Sequence, residues 1–238
     1  MNRVSVGIAL VAAVAATGAA LFLLWRSSVA PEGAQPRGPS MDDALVAALE
    51  PKVAGWVEEY RTSIPTFSLK AFWKVRDEPL TPQNFVPVQH YDWSPTRRQE
   101  RGLLYEFSPD GAKFVDAYVG TQLIPSDGGG LDFERDVDIA VVLVDMRART
   151  ATQVLFCGPS SCDFHGAAWL SGEVFAVYGW DEDFSKECAS APCASVPALR
   201  LYDLRHMRVT TYHGPAHSGE PPTDLIRRML KRRVPDLR

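Results

Sequence analysis

The chain has 238 residues and a net charge of −4, with 46% hydrophobic, 10% aromatic and 23% charged residues. That composition excludes a disordered, collagen-like or coiled-coil protein. The mild acidity, with a pI near 5.8, argues against a nucleic-acid partner, which calls for a basic face, and four cysteines are too few for a disulfide-dense scaffold of this length.

Residues 4–25 form an uncharged run between Arg3 and Arg26. In a helix that run spans roughly 33 Å, enough for a bilayer core. A cleaved signal peptide has a shorter apolar region of about 7–15 residues and a small-residue cleavage site. The one neat site, Ser28-Val29-Ala30, is followed by Pro31, which obstructs cleavage. We therefore read residues 1–26 as a signal-anchor, with a cleaved and secreted form as the alternative. No cysteine adjoins the run, so a lipid-modified terminus is excluded. A short tail before the span and a large domain after it predict the domain outside the cytoplasm. Residues 27–40 are rich in Pro, Gly, Ser and Ala and read as a linker. Residues 41–238 then make one domain, large enough to bury roughly 70% of its unfolded surface.

Ser40 is the expected cap of a helical region over 41–62, with Asp43 three residues on. Val46, Leu49, Val53, Trp56, Val57 and Tyr60 recur at spacings of three and four, a stripe that packs on the protein's own sheet. Pro51 interrupts it and predicts a kink or two short helices. Beyond Thr62 the pattern changes to short β-branched and aromatic runs separated by turns. The expected strands are Phe67–Val75, Phe85–Tyr91, Leu103–Phe107, Lys113–Val119, Asp138–Asp145, Thr152–Phe156, Ala167–Leu170, Glu173–Tyr178, Ala198–Tyr202 and Val209–Tyr212. No long helices alternate with them, so a parallel α/β sheet is not expected. A C-terminal helix over 222–234 is expected, with Thr223 capping it and Leu225, Ile226, Met229 and Leu230 on one face. Its basic last turn suits a membrane surface or, the reading adopted, docking on the domain.

An internal repeat is the most informative feature. Phe107-Ser-Pro-Asp-Gly-Ala-Lys-Phe114 leads to Leu143-Val-Asp-Met-Arg147 and then Cys157-Gly-Pro159. Trp169-Leu-Ser-Gly-Glu-Val-Phe175 leads to Leu201-Tyr-Asp-Leu-Arg205 and then His213-Gly-Pro215. The repeats cover about 103–159 and 167–215. At these residues the chain resembles the blades of TolB-type and WD-type β-propellers, where an aromatic-Ser-Pro-Asp-Gly turn joins two strands and a Leu-x-Asp-Leu strand follows. The resemblance implies antiparallel four-stranded units. Two units do not close a ring, so the fold expected is mainly β: two antiparallel propeller-blade-like sheets, not a closed propeller, with the N-terminal membrane helix and short flanking helices.

The candidate chemistry is sparse. Cys157 and Cys162 share their spacing with Cys188 and Cys193. Two local disulfides need the least chain ordering, while cross-pairing, free thiols or a four-cysteine zinc site are the other arrangements. His213 and His217, with Asp163 or His165 in the other repeat, are candidate metal ligands. The alternative is loop histidines bonded to water or backbone, and no His-Glu-x-x-His segment is present. Asp127, Asp132, Asp136 and Asp138, and the Asp181-Glu-Asp183 run, carry oxygen ligands without the spacing of an EF-hand. The glycines at 128–130 lack a phosphate-loop ending, and no Gly-x-Ser-x-Gly elbow occurs. No cofactor and no catalytic residue is indicated. The expected function is therefore binding or scaffolding at the outer face of a membrane, as an envelope protein held by residues 4–25. A protein partner would dock on an exposed sheet edge or on Tyr178, Trp180, Tyr91 and Trp93. A metal-assisted hydrolase, or a subunit that completes a propeller as a homo-oligomer, are the alternatives.

Overall fold

Asp42, extended and accepting the Leu45 amide at 2.7 Å, caps helix α1 (Asp43–Leu49). The predicted cap Ser40 instead pairs with Trp73 as an isolated bridge. Pro51 separates α1 from α2 (Ala54–Ser63), so the stripe divides into two helices rather than one kinked one. The computed structural model describes residues 38–94, 101–127, 129–136, 138–158, 162–182, 195–216 and 224–237. The expected membrane segment at 4–25 lies outside them. Among the described residues no helix is long and apolar enough to cross a membrane.

Among the described residues twelve strands follow: β1 (Trp73–Pro79), β2 (Val86–Pro87), β3 (Tyr105–Phe107), β4 (Lys113–Asp116), β5 (Thr121–Pro125), β6 (Leu131–Arg135), β7 (Ile139–Asp145), β8 (Thr150–Cys157), β9 (Cys162–Trp169), β10 (Val174–Glu182), β11 (Ser195–Asp203) and β12 (Arg208–His213). They build two five-stranded sheets and a separate hairpin, β5-β6. The upstream sheet has the order β2-β8-β7-β4-β3 and the downstream sheet β1-β12-β11-β10-β9. All pairings between these strands are antiparallel. The fold is thus mainly β with short helices, as expected at that level, and among the described residues the sheets form no closed barrel. Each sheet holds a four-stranded meander and receives its fifth strand from residues 73–87.

The turns explain why these segments pair. In the β3–β4 turn, Asp110 Oδ1 accepts the Ser108 hydroxyl at 2.8 Å and the Ala112 amide at 3.1 Å. Gly111 there takes φ +66°, a left-handed conformation open to glycine without strain. Asp145, the last residue of β7, accepts the Arg147 and Ala148 amides, and Asp203, the last residue of β11, accepts the His206 amide. Four residues beyond each aspartate lies a left-handed residue, Arg149 (φ 51°) and Met207 (φ 49°). Aspartate is suited to such turns because its side chain bonds its own backbone two residues on.

Three apolar cores stack through the molecule. The inter-sheet core packs Val115, Val141, Leu143 and Val154 of the upstream sheet against Phe164, Trp169, Phe175 and Tyr202 of the downstream sheet. The downstream sheet's other face, with Ala176, Tyr178 and Leu199, packs on Trp56 and Tyr60 of α2 and on Phe67 and Phe72. The third core, Tyr105, Phe114, Val142, Val144 and Ala151, lies on the upstream sheet's outer face. The inter-sheet contact is pinned by polar bonds: Trp169 Nε1 donates to the Glu106 carbonyl and Tyr202 Oη to the Val154 carbonyl, each at 2.8 Å. Helix α3 (Leu225–Arg233) sits at the seam. Leu230 enters the inter-sheet core, while Leu225 and Met229 enter the helix-side core. Its four arginines are taken up by the domain: Arg227 by Asp132, Arg228 by Glu59, Arg232 by Glu58 and Glu59, and Arg233 by Glu106. The helix therefore docks on the domain through both its apolar and its basic residues.

Candidate functional site

Cys157 and Cys162 form a disulfide that joins the end of β8 to the start of β9. Cys188 and Cys193 lie outside the described residues, as does His217. The remaining candidate ligands fall into two separate arrangements. On β12, His213 Nε2 lies 3.2 Å from Asp181 Oδ2, and Arg200 holds the same carboxylate at 3.1 Å. On β9, His165 Nε2 stands 3.7 Å from Asp163, whose other oxygen is held by Arg135 at 2.6 Å. Burial works to raise both carboxyls, but His213 and Arg200 outweigh it at Asp181, and His165 and Arg135 at Asp163. Both groups are held below the usual carboxylate range. Tyr60, buried near Asp163, is pushed up by desolvation and by that carboxylate's charge.

Each histidine thus meets one carboxylate that already carries a guanidinium. Among the described residues no three His, Cys, Asp or Glu side chains converge as metal ligands. Asp132 is engaged by Arg227 at 3.0 Å and by the Phe133 amide at 2.8 Å. These are charge-neutralised structural pairs. A cleft of about 190 Å³ at one end of the two sheets, lined by Lys113, Leu143, Asp145, Thr152 and Glu173, is similar. Lys113 donates to Glu173 at 2.8 Å and to the Gly172 carbonyl at 3.2 Å, tying the two β-turns together.

The surface that departs from ordinary coverage is the outer face of the upstream sheet. Seven large hydrophobic side chains are exposed among the described residues: Val75, Val86, Trp93, Leu103, Phe107, Phe156 and Met207. Four of them belong to this face. Register sets Phe107 opposite Phe114, Phe156 opposite Ala140 and Val86 opposite Gln153. A bulge at Val154 turns both Val154 and Leu155 toward the inter-sheet core and returns Phe156 outward, where it is 54% exposed. Segment 88–94 crosses part of the face. Tyr91 and Trp93 stack edge-on at 5.0 Å, Tyr105 stacks on Phe114 at 4.3 Å, and Arg149 lies over the Trp93 ring at 5.5 Å. Tyr91, Trp93, Tyr105, Phe114 and Met146 line an open pocket of about 50 Å³. Of the aromatics expected as anchors, Tyr91 and Trp93 are here, whereas Tyr178 is buried against the helices and Trp180 is half-buried. Phe107 and Phe156 were not anticipated as surface groups, although both lie in runs whose alternation marks one sheet face.

Comparison with protein-family models, with curated proteins and with solved structures finds no match. Function is therefore argued from this chain's own residues.

Proposed function

We propose that the protein is a non-catalytic binding or scaffold module tethered by residues 4–25 at the outer face of a membrane, built of two blade-like sheets. The observation that carries the binding reading is the concentration of exposed apolar side chains, Phe156, Phe107, Trp93 and Val86, on one sheet face. Apolar patches of this kind, rimmed by polar groups, mark docking surfaces. Aromatic residues and arginine are the residue types enriched at interface centres. The uncharged N-terminal run supports the tether, and the Cys157–Cys162 disulfide suits an oxidising compartment. The test is purification of the full chain from membranes in mild detergent. A stoichiometric bound protein that is lost in a Phe107→Glu/Phe156→Glu variant supports the reading. The same bound protein at the same stoichiometry in both preparations, or none in either, overturns this face as the docking surface.

A further inference from the structure

We infer that the cleft of about 190 Å³ at the mouth of the inter-sheet core is a binding site for an organic cation, an ammonium or guanidinium carried on a short aliphatic stem. The site is separate from the apolar outer face and does not depend on it. Strand register builds one wall. Lys113 pairs with Asp145 and Asp145 with Thr150; two residues along the strands, Val115 pairs with Leu143 and Leu143 with Thr152. Val115 and Leu143 belong to the inter-sheet core. Alternation therefore turns Lys113, Asp145 and Thr150 to that same side, at the open end of the gap between the sheets. The opposite wall comes from turns of the downstream sheet, with Glu173 between β9 and β10, and Leu204 and Met207 between β11 and β12.

The charges of this lining do not cancel. Lys113 donates to Glu173 and to the Gly172 carbonyl, and not to Asp145, its cross-strand partner. Asp145 uses Oδ1 for the turn amides of Arg147 and Ala148, and among the described residues its Oδ2 receives no donor. The second repeat differs at this point. Asp203, in the matching place, takes the His206 amide on Oδ1 and has the His206 ring 2.8 Å from Oδ2. Ala148 stands where that repeat has His206. The first repeat thus keeps the carboxylate without the side chain that meets it in the second, and one lysine faces two carboxylates. A lining with one negative charge in excess selects a cation. The rest is apolar: Phe85, Leu143, Leu204 and Met207. Met207 is 43% exposed at a φ of 49°, a conformation that glycine takes without strain, so methionine here sets a long apolar side chain at the rim. A cationic group on an aliphatic stem matches both parts, with the stem along the apolar surface and the head at Asp145. The volume limits it to side-chain size, since a cavity of about 150 Å³ takes benzene. A hydrated metal ion fits less well, for among the described residues no three metal-ligating side chains converge and the apolar lining would be left unmatched.

The test is saturation-transfer NMR on the full chain in detergent with three probes: butylamine, the blocked peptide acetyl-Gly-Lys-Gly-amide, and the same peptide with norleucine in place of lysine. The lysine peptide should bind in the millimolar range expected of so small a ligand, and the norleucine peptide should give no more signal than with detergent alone. Asp145→Asn keeps the Oδ1 acceptor of the turn and removes the charge, so it should weaken binding at least about tenfold. Ala148→His installs the partner seen in the second repeat and should do the same. Butylamine bound as tightly as the lysine peptide assigns the site to free amines, and a preference for the peptide assigns it to a basic side chain of a polypeptide; both sustain the inference. Equal signal from the norleucine peptide overturns it. So does unchanged binding in either variant that retains the wild-type unfolding midpoint, or the absence of binding by both cations. None of these outcomes bears on the Phe107→Glu/Phe156→Glu experiment, so the two readings fail separately.

Discussion

Two glycines in the downstream sheet show how little space β9 and β10 leave between them. A methyl group at Gly179 would lie 2.0 Å from the Asp163 carbonyl oxygen, where the β9–β10 register shifts. At Gly166 it would meet the Tyr178 hydroxyl at 2.5 Å. Backbone cannot yield as a side chain tip can, so Gly179→Ala should cost about 3 kcal/mol, read as a lower urea midpoint, with Gly166→Ala less damaging. The buried aspartates set an acid limit. Asp163 and Asp181 have folded-state pKa values below their unfolded ones. Their contribution is therefore complete above the unfolded value near 3.9 and is lost as pH falls through the folded value. Stability should stay level from neutral pH down to about 5 and fall steeply below about 4. In Asp163→Asn/Asp181→Asn that fall should be shallower, and a profile of unchanged steepness would place the titrating groups elsewhere.

Helix α3 is held by charge as much as by apolar contact, and Glu59 receives both Arg228 and Arg232. Glu59→Gln should cost about 2 kcal/mol, since removing one partner strands the others but the arginines retain access to water. Amide exchange over residues 225–233 should speed up before that of β10 and β11. Reduction of Cys157–Cys162 should cost about 2 kcal/mol, the modest value set by its short loop, and is measured as a midpoint shift with and without reductant. Strand content and the helix-Pro-helix opening were legible because alternation and Pro51 leave local signatures. The β5–β6 hairpin is not, although Thr121–Pro125 and Leu131–Arg135 flank its turn, because a run of three glycines carries no signature that separates a hairpin turn from any other glycine-rich loop. The strand expected from Phe67 begins only at Trp73, because Phe67 enters the helix-side core from ahead of the strand. The strand itself runs on through Arg76-Asp77-Glu78, charged because it is an edge. Phe85–Tyr91 contracts to Val86–Pro87, since proline gives no amide to a ladder. The site was less readable than the fold: burial of Tyr178 and exposure of Phe107 depend on which sheet face is covered, a fact about distant helices.

At the scale of the molecule the cores share sheets, so they should not melt separately. Leu230, fully buried, reaches the inter-sheet core from a helix whose other side enters the helix-side core. Leu230→Ala should cost about 3 kcal/mol and shift one calorimetric transition rather than split it; two resolved transitions would show independent units. The path of the chain adds a further consequence. It starts in the downstream sheet with β1, passes to the upstream sheet at β2, and returns only at β9. Asp77 of β1 finds its register partner Thr210 on β12, with Arg208 clasping its carboxylate at 2.9 Å. As the polypeptide emerges from its N-terminal end during synthesis, β1 is among the first strands made and its neighbour is the last. The nascent chain must keep that early strand unpaired for the whole interval, and Lys74, Arg76, Asp77 and Glu78 are what make a waiting strand resist the wrong neighbour.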